Sequence, residues 1–294
     1  MTLIKGCLAF LCYVINTLLW MIPILTFGLL KLLPFSVTKN LGASILDNCA
    51  SGWISVNGLI ERLYHPTRVH VSGNTNFKRQ DWYMVIANHQ SWVDILILQR
   101  VLNNKIPFLK FFLKKELMYV PVLGLAWWAL DFPFMRRYSP AQIKKNPKLK
   151  GKDIEITRKA CEKFKHKPVS VMNFVEGTRF TPEKHQKQQP PFQHLLRPKA
   201  GGMAFTLATM GDCMNTLVDV TIHYPVKTPS FWEYISGQVN DIYVHIEQTP
   251  IGEDLKGDYV NDRAFKQSFQ HSLSLRWQQK DQVFSQLMHN SKEG

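Results

Sequence analysis

From Gly6 to Leu30 the chain runs for 25 residues without a charge. As a helix this run would extend about 37 Å, against a hydrocarbon core about 30 Å thick, so it predicts a membrane segment. The run is too long for a signal peptide, and it is followed by Lys31-Leu32-Leu33-Pro34 rather than a small-x-small cleavage site. A retained anchor is expected. Asn16, Thr17 and Pro23 interrupt the run, which leaves a kinked or re-entrant course open. Lys5 at one end against Lys31 and Lys39 at the other favours the C-terminal side as cytoplasmic. From Ser36 to Leu63, Leu41, Ile45, Trp53, Ile54, Leu59 and Ile60 recur at helical spacing, which predicts an amphipathic helix lying on the bilayer or on the domain.

Beyond His65-Pro66 the pattern alternates. Strands are predicted over 68–71, 82–87, 132–135, 169–174, 217–224 and 241–248, with helices over 91–102, 108–118, 152–165 and 200–210. Such alternation predicts an α/β domain over 67–294 with a largely parallel central sheet, preceded by N-terminal membrane-associated helices over 1–66. Phe265, Phe269, Leu273, Trp277, Phe284 and Leu287 predict a C-terminal packing helix between Asp258 and about Met288. The stretch 184–193, rich in Gln, Lys and Pro, reads as a loop.

The net charge of +14 is concentrated: 136–167 holds 12 Lys or Arg against Asp153, Glu155 and Glu162. A basic surface of this kind suits anionic lipid headgroups, phosphorylated substrates, an acidic carrier protein or nucleic acid, and part of it is an ordinary solvated helix face. The apolar N-terminal run and the lack of a recognition motif argue against nucleic acid. Five cysteines without a C-x-x-C fit a reducing compartment and no zinc site or disulfide framework.

The candidate chemistry lies at Asn88–Asp94 (NHQSWVD), a corner between the strand 82–87 and the helix that follows. His89 sits in the turn and Asp94 in the first helical turn, so the carboxylate can accept from one imidazole nitrogen and leave the other as a base. The helix N-terminus disfavours a protonated imidazole there. The same residues also fit a variant capping box, Ser91-x-x-Asp94, that only satisfies helix-start amides. With 10 histidines and 12 aspartates, roughly 0.4 such H-x4-D spacings are expected by chance, so the motif needs company.

Company comes from three further stretches. Glu176-Gly177-Thr178-Arg179 follows an apolar strand as the His89 corner does, and loops at the carboxyl ends of neighbouring strands converge. Its glycine admits close backbone approach and its arginine offers a planar fork for phosphate; the alternative is a surface turn with a solvated arginine. Lys114-Lys115-Glu116-Leu117 leads to Pro121, Gly124 and then Phe132 to Arg137. Lys199-Ala200-Gly201 comes later, and Tyr224-Pro225 closes a strand.

NHQSWVD, KKEL with Pro121 and Gly124, VEGTR, and the strand ending in Tyr224-Pro225 resemble, in order, four blocks of the glycerophospholipid acyltransferase family. The likeness is greatest to the 1-acylglycerol-3-phosphate acyltransferases (PlsC-like), and within them to the bacterial YihG-type, lysocardiolipin-acyltransferase-like proteins. It covers roughly residues 1–290. Val175 stands where the family usually has proline, and Asp131 where a glycine often precedes the apolar part of the second block.

The resemblance implies that His89 and Asp94 form the catalytic pair. Glu176, Gly177, Thr178 and Arg179, with Arg137, would handle the glycerol-phosphate end, and Lys199 is a further phosphate candidate. The implied partners are a lysophospholipid, an acyl thioester (acyl-CoA or acyl carrier protein) and an anionic membrane surface. The implied location is a bacterial inner membrane, with the α/β domain on the cytoplasmic side. No metal or other cofactor is expected, because the thioester is already activated. Backbone amides after His89 or in the Glu176-Gly177 turn are the expected oxyanion donors. The segment 120–130, with Trp127 and Trp128, suits either an acyl-chain groove or ordinary core. The rival class is a catalytically silent lipid-binding protein, which would need neither His89 nor Asp94.

Overall fold

A computed structural model of the chain describes residues 2–33, 36–64, 67–135, 144–146, 155, 161–162, 164 and 167–293. Two long helices come first, α1 (Thr2–Leu30) and α2 (Ser36–Tyr64). A six-stranded sheet follows, ordered β1-β8-β7-β2-β6-β3. Its strands are β1 (Arg68–Gly73), β2 (Tyr83–Ala87), β3 (Leu109–Phe111), β6 (Ser170–Phe174), β7 (Thr216–His223) and β8 (Asp241–Pro250). All neighbours run parallel except β7 and β8. A small parallel pair, β4 (Leu113–Lys114) and β5 (Phe134–Met135), flanks it. The expected α/β class with a largely parallel sheet is what the chain forms.

Both faces of the sheet are covered. Every residue of β2 is buried, which is why its sequence is apolar without alternation. Val85, Val218, Val220 and Ile222 belong to the core beneath α1, α2, α3 (Val93–Leu102) and α4 (Leu123–Ala129). Met84, Ile86, Val171 and Leu217 face the opposite core. Two short helices, α5 (Pro182–Gln188) and α7 (Phe231–Ile235), occupy connections. The opposite core is closed by α6 (Gly201–Met210) and α8 (Arg263–Glu293). The α8 residue Trp277 is fully buried and its Nε1 donates to Leu196 O at 3.0 Å. Truncating such a side chain to alanine costs about 3–5 kcal/mol.

The α1–α2 pair explains the polar residues inside the apolar run. Asn16 Nδ2 donates to Asn57 Oδ1 at 2.8 Å and to Trp53 O at 3.1 Å, and Tyr13 OH donates to Glu61 Oε1 at 2.9 Å. Trp53 Nε1 donates to Thr17 Oγ1 at 3.2 Å. These groups join two helices, and α1 continues past Pro23. Small residues allow close approach: a Cβ on Gly52 would lie 2.3 Å from the Trp20 ring. At its two ends α1 meets the domain, where a Cβ on Gly6 would be 2.9 Å from Trp232 and one on Gly28 2.8 Å from Ala129.

Two expectations change. The predicted helix over 108–118 is instead β3, β4 and a short 3-10 turn over Lys115–Tyr119. Lys110 is the reason for the first part: it is buried in β3 with its Nζ donating to Leu130 O at 2.8 Å. The loop expected over 184–193 begins with α5, which Thr181 caps by accepting from Lys184 N at 3.3 Å. The helix expected over 152–165 and most of the basic stretch lie outside the described residues. Asp131 adopts φ +55°, in the left-handed region that favours glycine, and it forms an ion pair with Lys31 just after α1.

Candidate active site

His89 leaves the carboxyl end of β2 and Asp94 opens α3 four residues after Gln90. His89 Nδ1 lies 2.8 Å from Asp94 Oδ2, the contact expected from the sequence. The same oxygen accepts from the backbone amides of Gln90 at 2.6 Å and Ser91 at 2.9 Å. Oδ1 accepts from the Tyr224 hydroxyl at 2.6 Å. Asp94 is completely buried, and an acceptor-only carboxylate makes Nδ1 the donating nitrogen of the ring. Nε2 is then the basic one. Capping and ring orientation are therefore one arrangement, although Ser91 itself caps differently: its Oγ accepts from Val93 N at 3.1 Å and donates to Pro229 O.

The neighbouring strand β6 completes the corner. The His89 ring stacks on Phe174, centroids 3.9 Å apart and planes 15° apart, and Phe180 N donates to His89 O at 2.7 Å. Gly177 has φ +68° and its N donates to Phe174 O at 2.9 Å, so the turn after β6 needs a glycine there. Asn88 fastens β2 to β7: its side chain donates to Ile222 O and accepts from Ile222 N, both at 2.9 Å.

The residues expected to bind substrate separate into distinct places. Arg179 is exposed, with its guanidinium 5.4 Å from the centroid of the Trp92 ring at the start of α3. Lys184, which sequence reasoning passed over, joins it: Nζ donates to Thr178 Oγ1 at 2.9 Å and to Arg179 O at 2.8 Å. Glu176 turns inward, 1% exposed, and neither carboxylate oxygen makes a hydrogen bond of good geometry. Burial pushes its carboxyl up to about 8, partly offset by the backbone of His89 and Leu196 and by the charge of Lys280. Lys199 lines a cleft of about 460 Å³ with Arg197, Tyr259 and Gln270, and that cleft includes none of the residues around His89. Arg137 lies outside the described residues.

The amides expected as oxyanion donors are largely engaged. Those of Gln90 and Ser91 serve Asp94, and that of Gly177 serves Phe174 O. Gly124 of the second block is fixed by space, since a Cβ there would lie 2.1 Å from Met118 O. Val122 beside it has φ +66° and closes a tight turn in which Leu123 N donates to Pro121 O at 2.7 Å.

A family model described as Acyltransferase matches residues 68–225, more than half of the chain and the whole of this corner. The chain belongs to the acyltransferase family. Among acyltransferases it is 25% identical over 210 residues to an Arabidopsis thaliana protein named probable 1-acyl-sn-glycerol-3-phosphate acyltransferase 5, covering 67% of this chain and 52% of that one. It is 26% identical over 190 residues to the mouse 1-acyl-sn-glycerol-3-phosphate acyltransferase delta, covering 60% and 47%. The chain thus spans about half the length of these relatives. The crystal structure of PlsC, the 1-acyl-sn-glycerophosphate acyltransferase of Thermotoga maritima, superposes with a TM-score of 0.51 at 16% identity over 95% of this chain and 97% of that one. That likeness shows a shared fold extending through the N-terminal helices.

Proposed function

We propose that this acyltransferase moves a fatty acyl group from a thioester donor to the free hydroxyl of a lysophospholipid, giving phosphatidic acid from 1-acyl-sn-glycerol 3-phosphate. The observation that carries the reading is the His89–Asp94 contact at the carboxyl end of β2, with the exposed Arg179 on the adjoining loop. The names of the relatives support the choice of acceptor.

His89 Nε2 takes the proton of the acceptor hydroxyl as that oxygen bonds to the thioester carbonyl carbon. The tetrahedral intermediate collapses, the C–S bond breaks, and the imidazolium returns the proton to the leaving thiolate. No acyl-enzyme forms, because the acceptor oxygen itself is the nucleophile. Backbone amides of the turn after β6 are the proposed oxyanion donors, and Arg179 with Lys184 offers positive charge for the acceptor phosphate. Glu176 acts from beneath, by shaping the turn that presents them. The step requires no metal or redox cofactor, and acyl-CoA or an acyl carrier protein serves equally as donor in this chemistry.

Residues 1–66 form the membrane attachment and 67–294 the catalytic domain in this proposal. Among the described residues, α1 alone is long and apolar enough to cross a bilayer. Gly6 and Gly28 both touch the domain, however, so α1 runs alongside it for about 33 Å rather than projecting away. Its outward face, with Leu8, Leu11, Leu18 and Ile22, is exposed and would lie in the lipid. The proposed location is a bacterial inner membrane with the domain on its cytoplasmic side, supported by Lys5 at one end of α1 against Lys31 and Lys39 beyond the other.

Mass spectrometry of products from the full chain, given a panel of lysophospholipids with acyl-CoA or acyl carrier protein, tests the assignment. Preferential conversion of 1-acyl-sn-glycerol 3-phosphate supports it. Preference for lysophosphatidylglycerol or lysocardiolipin would move the acceptor while keeping the chemistry.

A further inference from the structure

Asp94 is held from two directions. His89 and two amides occupy Oδ2, whereas Oδ1 is served by Tyr224, 130 residues later in the chain. We propose that Tyr224 is a positioning residue of the catalytic pair, whose phenol fixes Asp94 in the orientation that meets His89 and takes up part of the carboxylate's charge. This deepens the acyltransferase reading and rests on His89 being its base.

The hydroxyl is a built part of the site. Tyr224 is 5% exposed and Asp94 is fully buried, so no solvent competes for Oδ1. Burial, with the adjacent Asp94 charge, raises the phenol well above its ordinary value, so it remains a donor wherever the protein is folded. The strand β7, which Tyr224 follows, is pinned just before it. Asn88 and Gln90 hold Ile222 O, each at 2.9 Å. From the other face, Lys280 of α8 donates to Val220 O at 2.7 Å and Thr221 Oγ1 at 3.2 Å, and pairs with Asp219. Lys280 is 3% exposed, and Asp219 with these two oxygens compensates its desolvated charge, so the contact holds β7 firmly. Thus α8, beyond the family-matched residues, supports the site through β7.

Other charged or titratable groups surround the pair. Glu176 follows β6, Lys280 lies on α8, Tyr234 on α7, and Arg179 sits over Trp92. All of these remain in place when only the phenolic oxygen of Tyr224 is removed.

The test is Tyr224→Phe, which keeps the ring. Three measurements are made: the pH dependence of kcat/KM, KM for acceptor and donor, and an NMR titration of the His89 imidazole without substrates. Loss of the phenol leaves Asp94 with more charge for its histidine, so the imidazolium is held more tightly. The expected result is a fall in kcat of about tenfold or more with both KM values within a factor of about two. The acid limb of the profile and the imidazole midpoint should both move up by about half a pH unit or more. A graded variant, 3-fluorotyrosine at position 224, keeps the hydroxyl and makes it a stronger donor, and should move both midpoints the opposite way. Unchanged midpoints in both variants would overturn the proposal, as would a loss of kcat accounted for by a lowered Tm. If the imidazole midpoint moves and the rate profile does not, the positioning role stands and the assignment of His89 as base fails.

Discussion

Asp94 accepts four hydrogen bonds, and those from His89 and the Ser91 amide follow from spacings in the chain, whereas that from Tyr224 does not. The dyad was legible because both partners lie within one turn. Tyr224 was visible only as part of a strand end, since its partner is reached through the pairing of β7 with β2. Glu176 shows the same limit: its sequence neighbours suggest a ligand, while the fold buries it. Its carboxyl stands at about 8, above its unfolded value, so the folded state retains a proton that the unfolded chain releases. That contribution to stability is present in full below the unfolded value and is lost as pH rises through 8. Glu176→Gln should therefore flatten the decline in Tm between about pH 5 and pH 9. An identical decline in both proteins would show that another group governs it. For Arg179, exposed and unpaired with any carboxylate among the described residues, Arg179→Ala should lower kcat/KM for the acceptor by about ten- to a hundredfold. Arg179→Lys should recover only part, because a point charge does not replace the fork. Steady-state kinetics with varied acceptor decides this, and an unchanged kcat/KM would remove Arg179 from the acceptor site.

Elements followed the hydrophobic pattern where one periodicity dominated. The buried run of β2 and the long repeats of α1, α2 and α8 are of this kind. The segment 108–118 failed because Phe108, Leu109, Phe112 and Leu113 suit a helical face as well as two short strands. What decided between them is tertiary: β3 pairs with β6 and places Lys110 where Leu130 O can accept from it. The short helices α5 and α7 escaped notice because five to seven residues carry too little periodicity, though Thr181 and Ser230 are recognisable caps. Gly124 offers an element-scale test. Gly124→Ala would set a Cβ against the Met118 carbonyl and should cost about 1–3 kcal/mol, read as a lowered Tm. An unchanged Tm would mean that the 117–124 segment shifts freely and is not the tight support described.

At the scale of the whole molecule, the proposed function requires the N-terminal helices, the basic composition and the His89 corner to act at one lipid surface. The apolar face of α1 and the charge of +14 would attract a bilayer by different forces, and only the second is screened by salt. Lys167, the last lysine of the basic stretch, turns inward and binds Asp47 Oδ2 at 2.6 Å, so its charge serves α2 rather than lipid. The full chain should therefore float with neutral and anionic vesicles at high salt. Release at high salt would mean that α1 is not inserted. In the proposed reaction His89 drives direct transfer from a thioester to a lysolipid hydroxyl. The deciding comparison is of phosphatidic acid formed from 1-acyl-sn-glycerol 3-phosphate and acyl-CoA or acyl carrier protein by the full chain and by His89→Ala, with folding of both verified. Product is expected from the parent chain, with a loss of about 10²–10⁴-fold in the variant. A variant within tenfold of its parent, or a parent that acylates no lysophospholipid from either donor, would contradict it.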